Sequence, residues 1–198
     1  MSSVGSCIRA CWLRLRWLTC AILPAALLSA VCAKATQIGV QCGKGCAINI
    51  SGHIEDGDDR AFHELAAAQP NALVVLSGPG GKVVPALAMG MEIRARGLRT
   101  LILPGASCAS ACSFIWLGGT VRLLGKDARV GFHAMSAAHP GGTPAETHAF
   151  DTALIQYLTT LGYAYDVTAT IVNTPSVLVH WRDAIELNAN GIATQNYP

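Results

Sequence analysis

Apolar residues recur along this chain with two periodicities, one typical of strands and the other of helices. Ala47 to Ile54 alternates apolar with polar residues and predicts a first strand. Ala72 to Leu76 is a continuous apolar run of the kind found in strands buried on both faces, and a third strand is predicted over Leu98 to Leu103. Between these strands, helices are predicted over Arg60 to Gln69 and over Val83 to Arg96.

Strand, helix, strand, helix, strand at these lengths predicts an α/β fold, in which right-handed crossovers join parallel strands and helices flank a mainly parallel sheet. Further elements are predicted downstream: two short strands, then two helices, then a short helix with a capping box formed by Asp183 and Glu186. The strands and helices span Val121 to Leu124, Arg129 to His133, Ala145 to Leu161 and Tyr165 to Val172, with a Gly/Pro-rich loop over Ala137 to Pro144.

The first 35 residues have the pattern of a secretory signal peptide. Basic residues are followed by an apolar run from Leu18 to Val31 and by small residues around Ala33 and Ala35. The apolar run is shorter than the roughly 20 residues that a membrane-spanning helix needs. We therefore predict a signal peptide over 1–35 and a single domain over 36–198 in a periplasmic or secreted protein. An uncleaved anchor, with the domain facing the periplasm, is the alternative.

The predicted domain is less basic than the whole chain. The chain has 14 basic and 12 acidic residues, but four of the basic ones lie before residue 36 and none of the acidic ones does. The remainder gives the domain a formal net charge of −2. Because it has no basic stripe and no aromatic platform, a nucleic-acid partner is not expected.

Four of the eight cysteines fall in the predicted signal peptide, and the other four form two pairs, Cys42 with Cys46 and Cys108 with Cys112, each with three residues between. In an exported protein an even count predicts disulfides. Three connectivities are open at this point. A four-cysteine zinc site is the competing interpretation.

Three segments with residues that could take part in catalysis lie at the ends of predicted strands. Gly80 and Gly81 follow the second strand, Ser110 follows the third at a loop-to-helix junction, and His133 ends a later strand. Open sheets of this kind place their sites at the carboxyl ends of strands. A hydroxyl, an imidazole and backbone donors near a helix start are the groups that acyl transfer to water needs. Ser110 alone is equally compatible with an ordinary helix N-cap.

The order and spacing of these segments resemble the ClpP/crotonase superfamily and, within it, the ClpP-type serine peptidases. That family has a strand ending in S-P-G-G, a nucleophilic serine among small residues at a helix start, and a histidine in a strand segment like R-V-x-x-H. The matching segments here are Ser77-Gly-Pro-Gly-Gly81, Cys108-Ala-Ser-Ala-Cys-Ser-Phe114 and Arg129-Val-Gly-Phe-His133. The resemblance covers about residues 46 to 195 and implies a β-β-α superhelix.

Carried over residue by residue, the resemblance implies Ser110 as nucleophile, His133 as general base, and the N–H groups of Gly80 and Ala111 as oxyanion donors. Cys112 as the nucleophile is a weaker alternative. If Cys108 lies outside the helix, a bond to Cys112 would pin the turn that carries Ser110; otherwise both cysteines could reach back to the first pair.

The third member of the triad is where this chain departs from the family. The family's aspartate falls near Asn173, where no acid stands. We rank Asn173 first as the group that orients the imidazole, through its amide oxygen, with Asp166 and Asp183 as alternatives. The other histidines have no metal-ligand spacing and are interpreted as structural or solvated: His53, His63, His139, His148 and His180.

The resemblance implies an exported serine hydrolase, a peptidase acting on a peptide or protein, with no metal or other cofactor. Because the aspartate is missing, a catalytically silent binding protein on the same fold is the first alternative, and a crotonase-type acyl-CoA enzyme is the second. Family members commonly assemble through the helix after the histidine, which implies a homo-oligomer. The apolar stripe on that helix, which is formed by Leu154, Tyr157, Leu158 and Leu161, suits the domain's own core equally well. The sequence indicates no ATPase partner.

Overall fold

The computed structural model describes residues 35–133, 143–174 and 178–198. The described residues belong to a single unit, Ala33–Pro198. Nearly all of the predicted signal peptide and most of the loop predicted over 137–144 lie outside these ranges. In the ranges that are described, no helix is long and apolar enough to cross a membrane.

A mainly parallel sheet forms the centre of the described fold. Among the described strands two pairs are antiparallel, the first with the second and the seventh with the eighth. The strands are β1 Gln37–Cys42, β2 Cys46–Ile54, β3 Leu73–Gly81, β4 Arg99–Ile102, β5 Ser107–Ala109, β6 Arg122–Gly125, β7 Arg129–Phe132, β8 His180–Arg182 and β9 Gln195–Tyr197. Their order in the sheet is β8-β7-β5-β3-β4-β6-β9. In addition, β2 pairs with β3, and β1 pairs with β2.

Six helices accompany the sheet in the described residues, and most follow a strand directly. They are α1 Asp58–Ala68, α2 Val83–Ala95, α3 Ala111–Leu117, α4 Pro144–Thr160, α5 Tyr165–Val172 and α6 Ala184–Ala189. The capping box predicted at Asp183 and Glu186 opens α6, and Thr143 and Glu146 form a second one at the start of α4. The predicted α/β fold is confirmed, with the predicted helices ending within about two residues of the observed bounds.

The core lies where the apolar faces of β2 and β3 meet the helices. Ile48 and Ile50 of β2 and Val74 of β3 are fully buried, as the alternating and continuous patterns require. All seven residues of α3 are buried. A helix that is apolar on every side is a central one, so α3 is enclosed by the rest of the domain rather than packed on its surface.

The observed sheet has more strands than the sequence predicts. β1, β5, β8 and β9 were not expected, because β5, β8 and β9 have three residues each and β1 lies mostly exposed at an edge, with little apolar pattern. The second strand, predicted over Ala72 to Leu76 with Gly80 and Gly81 after it, also extends further than expected. β3 continues through Gly81 and pairs with β2 along that stretch, because glycine lets the two backbones approach closely.

The apolar stripe on α4 packs into the core of its own domain. Leu154 and Leu158 are fully buried, and Tyr157 and Leu161 nearly so. The stripe therefore supplies no surface for a second copy, and the predicted homo-oligomer has to rest on another part of the chain.

Candidate active site

The carboxyl ends of β3, β5 and β7 lie side by side and bring three predicted site residues to one edge of the sheet. β5 aligns with β7 in parallel register, with Ala109 opposite Gly131. Ser110 and His133 each lie just beyond these paired residues, on strands that run about 4.8 Å apart. On its other side β5 pairs with β3 through Gly78 and Cys108, which carries Gly80 to the same edge.

Ser110 has a strained backbone and does not cap α3 with its side chain. Its φ of 55° and ψ of −127° lie in a region that residues with a side chain rarely adopt, whereas an ordinary N-cap has extended dihedrals. The side chain makes no capping hydrogen bond to the helix. Ser110 is therefore the N-cap residue of α3 by position, but its hydroxyl does not cap the helix. Strain of this kind costs about 1–3 kcal/mol and persists where the surroundings enforce it.

Backbone hydrogen bonds hold both sides of Ser110. Its N–H donates to the carbonyl of Gly131 in β7 at 2.9 Å. Its carbonyl accepts from the N–H of Ser113 at 2.9 Å and from the buried Ser113 hydroxyl at 2.6 Å. The turn is thus anchored to β7 on one side and to α3 on the other, with the Ser110 side chain partly exposed between them.

Gly80 packs directly against the Ser110 turn. A Cβ placed on Gly80 would lie 2.7 Å from the Ser110 Cβ and 2.9 Å from the backbone nitrogen of Ala111. Both distances are shorter than real contacts allow, and the φ of Gly80 is +104°. Only glycine fits there, because the backbone at position 80 packs against the backbone of Ser110 and Ala111 with no space for a side chain.

The cysteines pair within each C-x3-C segment, which resolves the open connectivity. Cys42 bonds Cys46 across the β1–β2 hairpin, and Cys108 in β5 bonds Cys112 in α3, with Cα atoms 5.3 Å apart. Cys108 lies outside the helix, as this pairing needs. The four sulfurs are bonded in two pairs, which excludes both the zinc alternative and a Cys112 thiolate nucleophile in this state. No group of metal-ligating residues forms elsewhere in the described ranges.

Two arginines hold the other end of α3, and sequence reasoning did not anticipate them. The Arg94 guanidinium donates to the carbonyls of Gly118 at 3.0 Å and of Leu161 at 2.7 Å, which lie where α3 and α4 end. Arg122 donates to the carbonyl of Gly119 at 2.6 Å, and burial lowers its pKa. Cations at a helix C-terminus satisfy its free carbonyls and complement its dipole. The one sequence signal is Arg94, a basic residue in the last turn of the largely apolar α2, whereas Arg122 in β6 has none.

His133 follows β7 and is half-buried at the same edge as Ser110. β8 runs antiparallel to β7 and aligns His180 with Phe132, so Val179 lies beside His133.

The three candidates for orienting His133 lie in different places. Asp183 follows Arg182, which pairs with Val130, so it lies about four residues or about 13 Å along β7 from His133. It also caps α6 by accepting from the Glu186 N–H at 2.9 Å. Asp166 lies in the first turn of α5, and Asn173 is the exposed C-cap residue of that helix.

A second histidine lies on the opposite side of the glycine pair. His53 of β2 is aligned with Gly80, and its Nδ1 is 3.1 Å from a carboxylate oxygen of Glu55. A Cβ on Gly81 would lie 2.9 Å from the same Nδ1. Gly80 and Gly81 therefore separate His53 from Ser110 at the sheet edge, which the sequence could not reveal because the pairing of β2 with the extended β3 was not expected.

Neither family models nor curated proteins match this chain. Solved structures do. Two variants of the 1510-N membrane-bound stomatin-specific protease are similar to it, a serine-to-alanine variant at 17% identity and a lysine-to-alanine variant in complex with a substrate peptide at 19%. Both align over 75% of this chain, and over 77% and 73% of their own chains, with TM-scores of 0.56 and 0.59.

An asparagine-to-aspartate variant of ClpP1 from Listeria monocytogenes is also similar. It is 14% identical, covers 73% of this chain and 86% of its own, and has a TM-score of 0.58. At these identities the likeness concerns the fold alone. The resemblance found in the sequence is confirmed at that level: the chain has a ClpP/crotonase-like fold.

Proposed function

We propose that this protein is an exported serine hydrolase that cleaves peptide bonds, with Ser110 as its nucleophile. The observation that carries the proposal is the contact between Gly80 and the strained Ser110 turn, which leaves space for no side chain. A serine in a disfavoured backbone conformation, whose hydroxyl does not cap the helix and whose turn packs against the Gly80 backbone, suits acyl transfer. The structural neighbours named as proteases, one with a substrate peptide, favour a peptide substrate.

The proposed reaction uses groups along one edge of the sheet. The Ser110 oxygen attacks the carbonyl carbon while His133 takes the hydroxyl proton, and the N–H groups of Gly80 and Ala111 bind the oxyanion. His133 then protonates the leaving amine, and water hydrolyses the acyl-enzyme with the same base. Asn173 orients His133 in place of a carboxylate, which makes the reaction slower than in a complete triad.

Export is part of the proposal and is supported by two bonded cysteine pairs. Disulfides persist in oxidising compartments and are rare in the cytosol. The signal peptide over 1–35 is the predicted route, and the single domain over 36–198 is the proposed exported product. The proposed partners are a peptide or protein substrate and further copies of the same chain.

A fluorophosphonate probe tests the nucleophile, because it phosphonylates activated serines only. We expect wild-type protein to be labelled at Ser110, with labelling lost in S110A and reduced at least a hundredfold in H133A. S107A is the matched serine control on the same strand, and H180A is the histidine control on the neighbouring strand; both retain labelling. Absence of labelling in folded wild-type protein would instead favour a silent binding protein. Hydrolysis of an acyl-CoA thioester but of no peptide would favour the acyl-CoA alternative.

A further inference from the structure

The disulfide between Cys108 and Cys112 encloses Ser110 in a short covalent ring. Cys108 lies in β5 and Cys112 is the second residue of α3, so the bond ties a strand to the helix that follows it. Ser110 is the middle one of the three residues between them. The ring is therefore centred on the residue with the strained backbone.

Hydrogen bonds alone do not lock Ser110 in its strained backbone conformation. Its N–H bond to Gly131 fixes the end of β5, and the bonds to its carbonyl fix the start of α3. Unwinding α3 by one residue would take Ser110 into an allowed conformation at the cost of the bonds to its carbonyl alone, since the helix is only seven residues long. The covalent bond opposes that change, because it fixes the separation of the Cys108 and Cys112 Cα atoms at 5.3 Å.

We propose that Cys108 and Cys112 are positioning residues, whose disulfide holds Ser110 in its reactive backbone conformation, so that the protein reaches its full activity only once this bond has formed. This inference rests on the proposed function. Bond formation removes two protons and two electrons from the thiols, and a disulfide oxidant accepts them by thiol–disulfide exchange. The protein is thus about tenfold or more less reactive while reduced, and it gains its full rate in the compartment that oxidises it.

The second disulfide provides an internal control of the same sequence spacing. Cys42 and Cys46 close the β1–β2 hairpin, Cys42 is exposed, and Cys46 is half-buried. Cys108 and Cys112 are buried, at 0% and 1% exposure. Because a reductant must reach the sulfur, the hairpin bond is reduced first and the bond around Ser110 later. The effects of the two bonds can therefore be separated in one reduction time course.

The experiment compares three oxidised proteins expressed from the full chain: wild type, C108A/C112A and C42A/C46A. The fluorophosphonate inactivation rate at saturation and the probe's half-saturation concentration are measured for each, together with the ¹³Cα and ¹³Cβ shifts of labelled Ser110, which report its backbone dihedrals. We expect the saturating rate to fall about tenfold or more in C108A/C112A, the cost of losing the strained conformation. The half-saturation concentration stays within twofold, and C42A/C46A behaves as wild type.

Several outcomes overturn the inference. The inference is contradicted if folded C108A/C112A is labelled at the wild-type rate, or if the chemical shifts of its Ser110 are unchanged. If C108A/C112A does not fold, wild type is reduced stepwise with a phosphine and each step is mapped by thiol alkylation. Loss of labelling that follows reduction of Cys42 and Cys46, rather than of Cys108 and Cys112, then contradicts it.

Failure of the proposed function is distinguishable from failure of this inference. If oxidised wild type is never labelled, the hydrolase proposal fails. The Ser110 shifts still decide the positioning role, because they move on breaking the Cys108–Cys112 bond whether or not the serine reacts.

Discussion

The contact between Gly80 and Ser110 makes G80A the most informative substitution in this protein. The new methyl group would lie 2.7 Å from the Ser110 Cβ, 2.8 Å from the carbonyl of Ala109 and 2.9 Å from the nitrogen of Ala111. Two of these neighbours are backbone atoms, which cannot rotate away as the end of a flexible side chain would. The substitution therefore perturbs the turn that carries the proposed nucleophile.

The cost of G80A has two parts. Placing alanine at a φ of +104° costs about 1–2 kcal/mol, because its Cβ crowds its own backbone. Overpacking against Ser110 and its neighbours adds about 1–3 kcal/mol. Gly162 provides the matched control, since its φ is +85° and an added Cβ would meet nothing within 4 Å. G162A therefore has the first cost without the second.

Thermal unfolding and probe labelling together test the reasoning. G80A is expected to melt below G162A by the overpacking cost, which corresponds to about 2–12 °C in a domain of this size. Displacing one oxyanion donor lowers the labelling rate of G80A about a hundredfold to a thousandfold, while G162A keeps the wild-type rate. Equal melting temperatures for the two variants would refute the contact between Gly80 and Ser110, whatever the labelling shows.

Two further predictions concern the surroundings of α3 and the third member of the triad. Y157F removes the buried hydroxyl that donates to the Phe114 carbonyl at 2.6 Å and leaves that acceptor unsatisfied, so urea unfolding should show a loss of about 1–3 kcal/mol. Y165F, at an 86% exposed tyrosine, should change stability by less than about 0.5 kcal/mol, and equal losses would contradict the assignment. D183A should cost about 1 kcal/mol through loss of the α6 cap. Its labelling rate should stay within twofold of wild type, and a tenfold fall would place Asp183 in the catalytic machinery.

The parts of the fold that the sequence predicts are those with strong periodicity. β2 and the first half of β3 follow from their apolar patterns, and α2 from a run that ends at a glycine. β5 and β8 have three residues each, too few for a period to show, and they form because neighbouring strands are already in place. Tertiary pairing decides such segments, and local sequence does not contain it.

The site divides in the same way. Ser110, Gly80 and His133 can be selected from the sequence because each follows a strand in a recognisable motif. The positive φ of Ser110 cannot, since serine rarely adopts it unless its folded surroundings, the proposed Cys108–Cys112 clamp among them, enforce it. The pairing of Cys108 with Cys112 is likewise one of three connectivities that the sequence allows. It depends on Cys108 lying in a strand outside the helix, which the sequence does not predict.

The topology of β7 and β8 narrows the search for the group that orients His133. Their register places Val179 beside His133, and each later residue of β8 lies about 3.4 Å further from it. Asn173 at the end of α5 precedes β8 in the chain, and we keep it as the proposed orienting group. An amide there would fix the ring without stabilising its positive charge as a carboxylate does. We therefore expect the oxyanion contacts at Gly80 and Ala111 to contribute more of the rate enhancement than His133 does, and the hydrolase to be slow.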